Sequence, residues 1–145
     1  MTGFLCALIA GAAMSVQGVM NTKLGDHTGV LEASTFVQFT GFVLALIITM
    51  IFGHGDIRQL TQAPWYTWLG GLIAPVITVT VMFAISGLSP TTGISAILLA
   101  QLATAALIDA FGLLGSEKLP FTWHKYVGIG LMAIGVFLMK WKAQA

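Results

Sequence analysis

Apolar runs long enough to cross a bilayer alternate with short polar links along the chain, and the alternation gives five such runs. A crossing helix needs about 20 mostly apolar residues to span a hydrocarbon core of about 30 Å. The runs cover residues 3–20, 30–52, 66–86, 91–114 and 122–141. The links, NTKLGDHTG, GHGDIRQLTQAPW, GLSP and GSEKLPF, hold most of the charge and the turn-forming Gly and Pro. None could hold a soluble domain. The pattern therefore predicts one domain over residues 1–145, an all-α membrane protein with five transmembrane helices. Trp65, Trp68, Trp123, Tyr126 and Trp141 fall near the span ends, where amphipathic rings favour the membrane interface.

Composition agrees. The chain is 57% hydrophobic and 8% charged, against about 25% charged in soluble domains. It cannot coat a water-facing surface, and the lipid bilayer is its expected solvent. The six Lys and Arg are scattered, so no basic stripe follows a phosphate backbone and no nucleic-acid partner is expected. Cys6 is alone in an apolar run and is expected to be a buried small hydrophobe. The opening, MTGFLCALIAGAAMSVQGVMN, has no Lys or Arg before its apolar run. AGAA resembles a cleavage site, but a signal peptide needs a positive leading segment. The first helix is expected to be retained.

Five spans place the two termini on opposite sides of the membrane. Arg58, Lys118 and Lys125 then share the side of the N-terminus, and Lys23, Lys140 and Lys142 the other, three against three. The usual bias of Lys and Arg toward one side is absent. Two readings fit. The true bias is small, with a residue such as Lys125 too deep to count. Or the chain inserts both ways and pairs antiparallel with itself or with a homologous chain.

Polar residues inside spans are costly and point into protein or water-filled cavities. Gln17 and Asn21 are four apart on one face of the first helix, beside a small-residue face of Gly11, Ser15 and Gly18. They serve interhelical hydrogen bonds or face a solute. Glu32 stands in an early turn of the second helix, where the helix dipole favours a carboxylate; a proton or cation site at a cavity mouth is the other reading. Gln38 shares a face with Ser34, away from Glu32. In the third helix, Pro75 leaves the carbonyl of Gly71 without its donor, a pattern of kinks and also of transporter sites. Thr78 and Thr80 could offer hydroxyls there or bond back to their own helix.

The fourth span carries Gln101, Thr104 and Asp109. Asp109 closes a stretch, Gln59 to Ile108, with no Lys, Arg, Asp or Glu. Counted back from Glu117 along a continuous helix it lies about 12 Å inside. A carboxylate there is protonated, paired or beside water. No Lys or Arg lies within a span to neutralise it, except Lys125 near the start of the last, which favours a counter-charge arriving with a proton or a cationic ligand. A structural hydrogen bond is the alternative. In the fifth span Gly128 and Gly135 are seven apart on one face and suit dimer packing. Enzyme chemistry, cofactors and metals find no motif: His27, His54 and His124 lack metal-pair spacing, and GxSxG, HExxH and P-loop patterns are absent.

VQGVMNTKLG after the first apolar run, PWYTWLGGL before the third and AQLATAALIDAFG in the fourth resemble the five-helix YdcZ-like family of the drug/metabolite transporter superfamily. Gln101 and Leu102 followed by Asp109 and Phe111 are the most specific piece, and Asn21 with Thr22 the next. The last span is similar to the dimerisation helix of small multidrug resistance proteins in its glycine spacing. The resemblance implies one half of a ten-helix inverted-repeat transporter, working as an antiparallel pair. It implies export of small molecules across the cell membrane. Small multidrug resistance proteins carry their essential glutamate in the first helix. Gln17 stands in that region here, so any proton-for-solute exchange falls to Asp109 or Glu32. The expected function is a secondary transporter of a small polar or cationic solute, working by alternating access with proton coupling. Asp109, Glu32, Gln101, Gln17, Asn21 and Gln38 would form its site. A passive dual-topology channel and a non-transporting scaffold subunit are the alternatives.

Overall fold

The computed structural model describes residues 1–120 and 122–142. These residues form five α-helices: α1 (Thr2–Thr28), α2 (Val30–Phe52), α3 (Leu69–Leu88), α4 (Pro90–Phe111) and α5 (Trp123–Lys142). Short 3-10 turns occupy Ile57–Gln62, Trp65–Trp68 and Leu113–Gly115. The segments Thr2–Thr28, Val30–Phe52, Trp65–Leu88 and Pro90–Phe111 are long and apolar enough to cross a membrane. In α5 the terminal His124, Lys125, Lys140 and Lys142 dilute an apolar middle, and it falls outside that group.

α1 runs eight residues past the expected end of the first span, from Met20 to Thr28. Its polar tail was expected to be a link, yet polarity does not stop a helix. Lys23 pairs with Asp26 one turn on, at 3.4 Å, and the hydroxyls of Thr22 and Thr28 donate to carbonyls four residues back. The stop is Gly29, at φ 97° and ψ 148°, a region that only glycine enters without strain. Its N–H donates to the Gly25 carbonyl and its own carbonyl accepts from Ala33. α2 therefore starts at the next residue. At 27 residues, α1 is about 40 Å long, more than a hydrocarbon core requires.

The same device joins α3 to α4. Ser89 has φ 128° and ψ 156°, its N–H donates to Ile85, and its carbonyl accepts from Gly93. Here the linking residue is not glycine. Its hydroxyl compensates in part by accepting from the Thr92 amide at 3.4 Å, and Pro90 supplies a first helical residue that needs no hydrogen-bond partner. α3 itself is unbroken through Pro75.

α4 ends earlier than expected, at Phe111 rather than Leu114. Gly112 adopts the left-handed conformation, φ 63° and ψ 40°, and its N–H donates to Ile108, a common helix stop. Leu113 and Leu114 lengthen the apolar run without lengthening the helix. After the turn the chain hooks back, and the Leu119 amide donates to the Asp109 carbonyl at 2.9 Å.

The chain divides into two compact units, Met1–Phe83 and Ala84–Ala145. In the first, α1 packs on α2, and the small residues Gly18 and Thr22 of α1 and Ala33 and Ser34 of α2 are buried. Small side chains let helix backbones approach closely. Met82 is the largest fully buried side chain, and its sulfur would lie 3.4 Å from a Cβ added at Gly25. In the second unit α4 packs on α5, and a Cβ at Gly93 would lie 3.0 Å from the Ala84 carbonyl oxygen. Large apolar side chains such as Phe36, Leu44, Ile73, Leu131 and Phe137 remain exposed, as suits an apolar solvent. Cys6 is exposed too, not buried as expected, because residues 1–14 of α1 are exposed on every face.

Candidate functional site

The second unit builds a groove between α4 and α5. On α4 it is lined by Leu102, Ala105, Ala106 and Asp109, and on α5 by Lys125, Gly128, Ile129 and Met132. Each set follows the i, i+3, i+4, i+7 spacing of one helix face. The groove holds about 470 Å³, within the range of roughly 300–1,000 Å³ usual for small-molecule sites. Asp109 Oδ2 and Lys125 Nζ are 3.6 Å apart at one end, with 39% and 41% of their side chains exposed. Ser95 Oγ, fourteen residues before Asp109, meets Met139 Sδ, fourteen after Lys125, at 3.9 Å. The two helices therefore run antiparallel in one register, and the groove is charged at one end and apolar along the rest.

Both charges sit at the wrong end of their helix. Asp109 is in the last turn of α4, where the dipole disfavours an anion, and Lys125 is in the first turn of α5, where it disfavours a cation. Each misplacement costs about 0.3–1 kcal/mol at an exposed end. Helix stability alone would not select this pair. The loop places it: Gly112 reverses the chain and the Leu119–Asp109 backbone bond ties the returning strand to the site.

Two expectations about Asp109 are corrected here. It is not 12 Å inside a continuous helix, because α4 stops two residues after it. Its counter-charge does not have to arrive with a proton or ligand, because Lys125 is its partner. Gly128, expected to serve dimer packing, lines the groove, and a Cβ there would meet nothing within 4 Å inside the chain. Gly135 likewise has no heavy atom within 4 Å of an added Cβ.

The other expected residues are spread over separate places. Gln101 is exposed on α4 and does not line the groove. Thr104 bonds back to the Ala100 carbonyl. In the first unit, Gln17 and Asn21 line a shallow cleft with Ile9, Ala12, Ala13, Val16 and Met20, all on α1. Neither Glu32 nor Gln38 contributes to that cleft. Glu32 is exposed, and its carboxylate folds over Gly29, where an added Cβ would collide with it. Gln38 Nε2 donates to Thr78 Oγ1 at 3.2 Å, and Thr78 in turn donates to the Ala74 carbonyl at 3.0 Å. This bond links α2 to α3 beside Pro75. Thr80 bonds to Val76 and Ile77. The sequence reading missed the apolar groove wall, Leu102, Ala105, Ala106, Ile129 and Met132. The signal was present as two small-residue stripes, one ending and one beginning with a charge.

Residues 2–138 match the family model described as "Putative inner membrane exporter, YdcZ". The chain belongs to this family. It is thus a multi-pass membrane protein, and the family description is that of an inner membrane exporter. The match covers nearly the whole chain, including both the α1 cleft and the α4–α5 groove of this YdcZ-family protein. No curated protein and no solved structure matches the chain.

Proposed function

We propose that this YdcZ-family protein is a secondary transporter that exports a small polar or cationic solute, with the Asp109–Lys125 groove as its solute site. The observation that carries the reading is a carboxylate and an ammonium, 3.6 Å apart and part exposed, at the end of an apolar groove of about 470 Å³. A pair this exposed is worth about 0–1 kcal/mol in water. A solute charge can therefore join or loosen this pair at small cost and leave again, as transport requires. Asp109 is the exchange point in this scheme, and a proton can compete there with the solute.

All five α-helices cross the membrane in this proposal. The even split of Lys and Arg between the two sides supports an antiparallel pair of chains. Such a pair forms a ten-helix unit in which the two copies exchange inward and outward shapes, giving alternating access. The exposed face of α5, with Leu131, Ile134 and Leu138, is the proposed contact between copies, and Gly135 is half-buried on the groove side of the helix. Gln17 and Asn21 on α1, with Glu32 and Gln101, are proposed to hydrogen-bond the solute along its path. Gln38 holds α2 to α3 at the Pro75 segment.

Purified protein in liposomes tests this. Solute-driven current across a panel of small cations and metabolites should saturate and depend on pH. Asp109→Asn should abolish it while the assembled state seen by cross-linking stays intact. An unchanged current in Asp109→Asn removes this site from the mechanism. A current that never saturates supports a channel instead, and a dispersed assembly supports the scaffold reading.

A further inference from the structure

The chemistry of the groove narrows the solute further, and this step rests on the transport site proposed above. We propose that the groove takes a zwitterion with an apolar body: an ammonium and a carboxylate or phosphate held close together, with hydrocarbon beyond them.

Three observations converge. First, the site presents both signs of charge, and each side chain keeps about two-fifths of its surface exposed. A ligand ammonium can approach Asp109 and a ligand anion can approach Lys125 without breaking the pair. The four charges then alternate around a ring. A simple cation bound at Asp109 would face Lys125 as a like charge, and a simple anion at Lys125 would face Asp109. Among charged ligands, only one with both signs meets neither repulsion. Second, the rest of the lining is Leu102, Ala105, Ala106, Gly128, Ile129 and Met132. None of these offers a side-chain hydrogen bond, so a further polar group on the ligand would be buried without a partner. Third, the charges share one end. Asp109 is the last lining residue of α4 and Lys125 the first of α5, and seven residues separate the charged and apolar ends on each helix. The groove is thus about 10 Å long, with a zwitterionic mouth and a hydrocarbon channel.

Two sources carry this pair of charges: a free solute such as an apolar α-amino acid, with hydrocarbon directly beyond them, and the head of an ethanolamine phospholipid, whose glycerol esters come between the charges and the hydrocarbon. The test uses full-length protein purified in detergent without ethanolamine lipid. Binding is measured for phenylalanine, for phenethylamine, which lacks the carboxylate, and for N-acetylphenylalanine, which lacks the ammonium. Phenylalanine should bind at least about tenfold tighter than either, a difference of about 1.4 kcal/mol. Lys125→Met should erase its advantage over phenethylamine, and Asp109→Asn its advantage over N-acetylphenylalanine. Gly128→Leu, which fills the groove, should remove binding while helicity and elution volume stay unchanged. Displacement of phenylalanine by short-chain phosphatidylethanolamine but not phosphatidylcholine assigns the site to the lipid headgroup. Failure to displace assigns it to the free solute. Phenethylamine binding as tightly as phenylalanine, and tighter still in Lys125→Met, would overturn the zwitterion and leave a cation site. No binding of any probe, lipid included, also overturns it; the liposome current then judges transport separately.

Discussion

Ser89 holds φ 128° and ψ 156° between α3 and α4, a backbone region that a side chain enters only under strain. Ser89→Gly isolates that strain. Residues forced into such regions carry of order 1–3 kcal/mol. Losing the hydroxyl cap costs only a few tenths of a kcal/mol when glycine replaces serine; the bond it accepts from the Thr92 amide is long, at 3.4 Å, and it also donates to the Thr92 hydroxyl at 3.2 Å. Glycine adds about 0.4–1 kcal/mol of freedom to the unfolded chain. Taking about 2 kcal/mol for the strain, the net gain is about 1 kcal/mol, or a midpoint several degrees higher for a chain of this size. Far-UV circular dichroism of the detergent-solubilised protein during heating measures it. The reciprocal change is the control. Gly29 has nearly the same conformation, so Gly29→Ser should lower the midpoint by a similar strain, and its Cβ must also push the Glu32 carboxylate aside. A Ser89→Gly midpoint at or below wild type, with Gly29→Ser destabilised as expected, would refute the reasoning. The cap would then outweigh the backbone.

Other substitutions separate packed from open sites. Gly93→Ala should lose about 1–3 kcal/mol, because its Cβ would lie 3.0 Å from a backbone oxygen that cannot swing away. Gly128→Ala should be within about 0.5 kcal/mol of wild type, because its Cβ enters open space; thermal midpoints compare the two directly. Thr78→Val removes the acceptor of Gln38. A double-mutant cycle with Gln38→Leu should give a coupling of about 0.6 kcal/mol, the usual size for a hydrogen bond between membrane helices. In the liposome current, Gly128→Leu should abolish the signal and Gly128→Ala should reduce it without abolishing it.

Hydropathy placed the helices well where solvent and backbone agree. The second span was expected at 30–52 and α2 is Val30–Phe52. The errors fall where the two part company. Residues 21–28 are polar yet helical, since nothing in Lys23, Asp26 or Thr28 opposes helical backbone. Leu113 and Leu114 are apolar yet not in α4, since Gly112 has already turned the chain. The real stops are single residues, Gly29, Ser89 and Gly112, and an average over a window blurs them. Asp109 stood out in the sequence because it ends a long uncharged stretch. Its partner did not. Lys125 follows a link, GSEKLPF, whose length says nothing of the hook that returns Leu119 to the Asp109 carbonyl. Gln17, Gln38 and Gln101 were expected to share one site on polarity alone, but polarity carries no information about which helix faces meet. The structure gives Gln38 a partner in Thr78 and leaves Gln101 on a different face from the groove.

The groove wall at Ala105, Ala106 and Gly128 is made of positions that lack most of a side chain. Its shape is a mould, defined by subtraction. Each carbon added to the wall removes about one carbon from the ligand it can admit, and one methylene in an apolar site is worth about 1–3 kcal/mol of discrimination. The charges at the mouth are untouched by such changes. At the proposed transport site, cargo size and cargo charge are therefore written at separate positions. A lineage could walk from bulky to slight solutes one substitution at a time and keep the same chemical handle throughout.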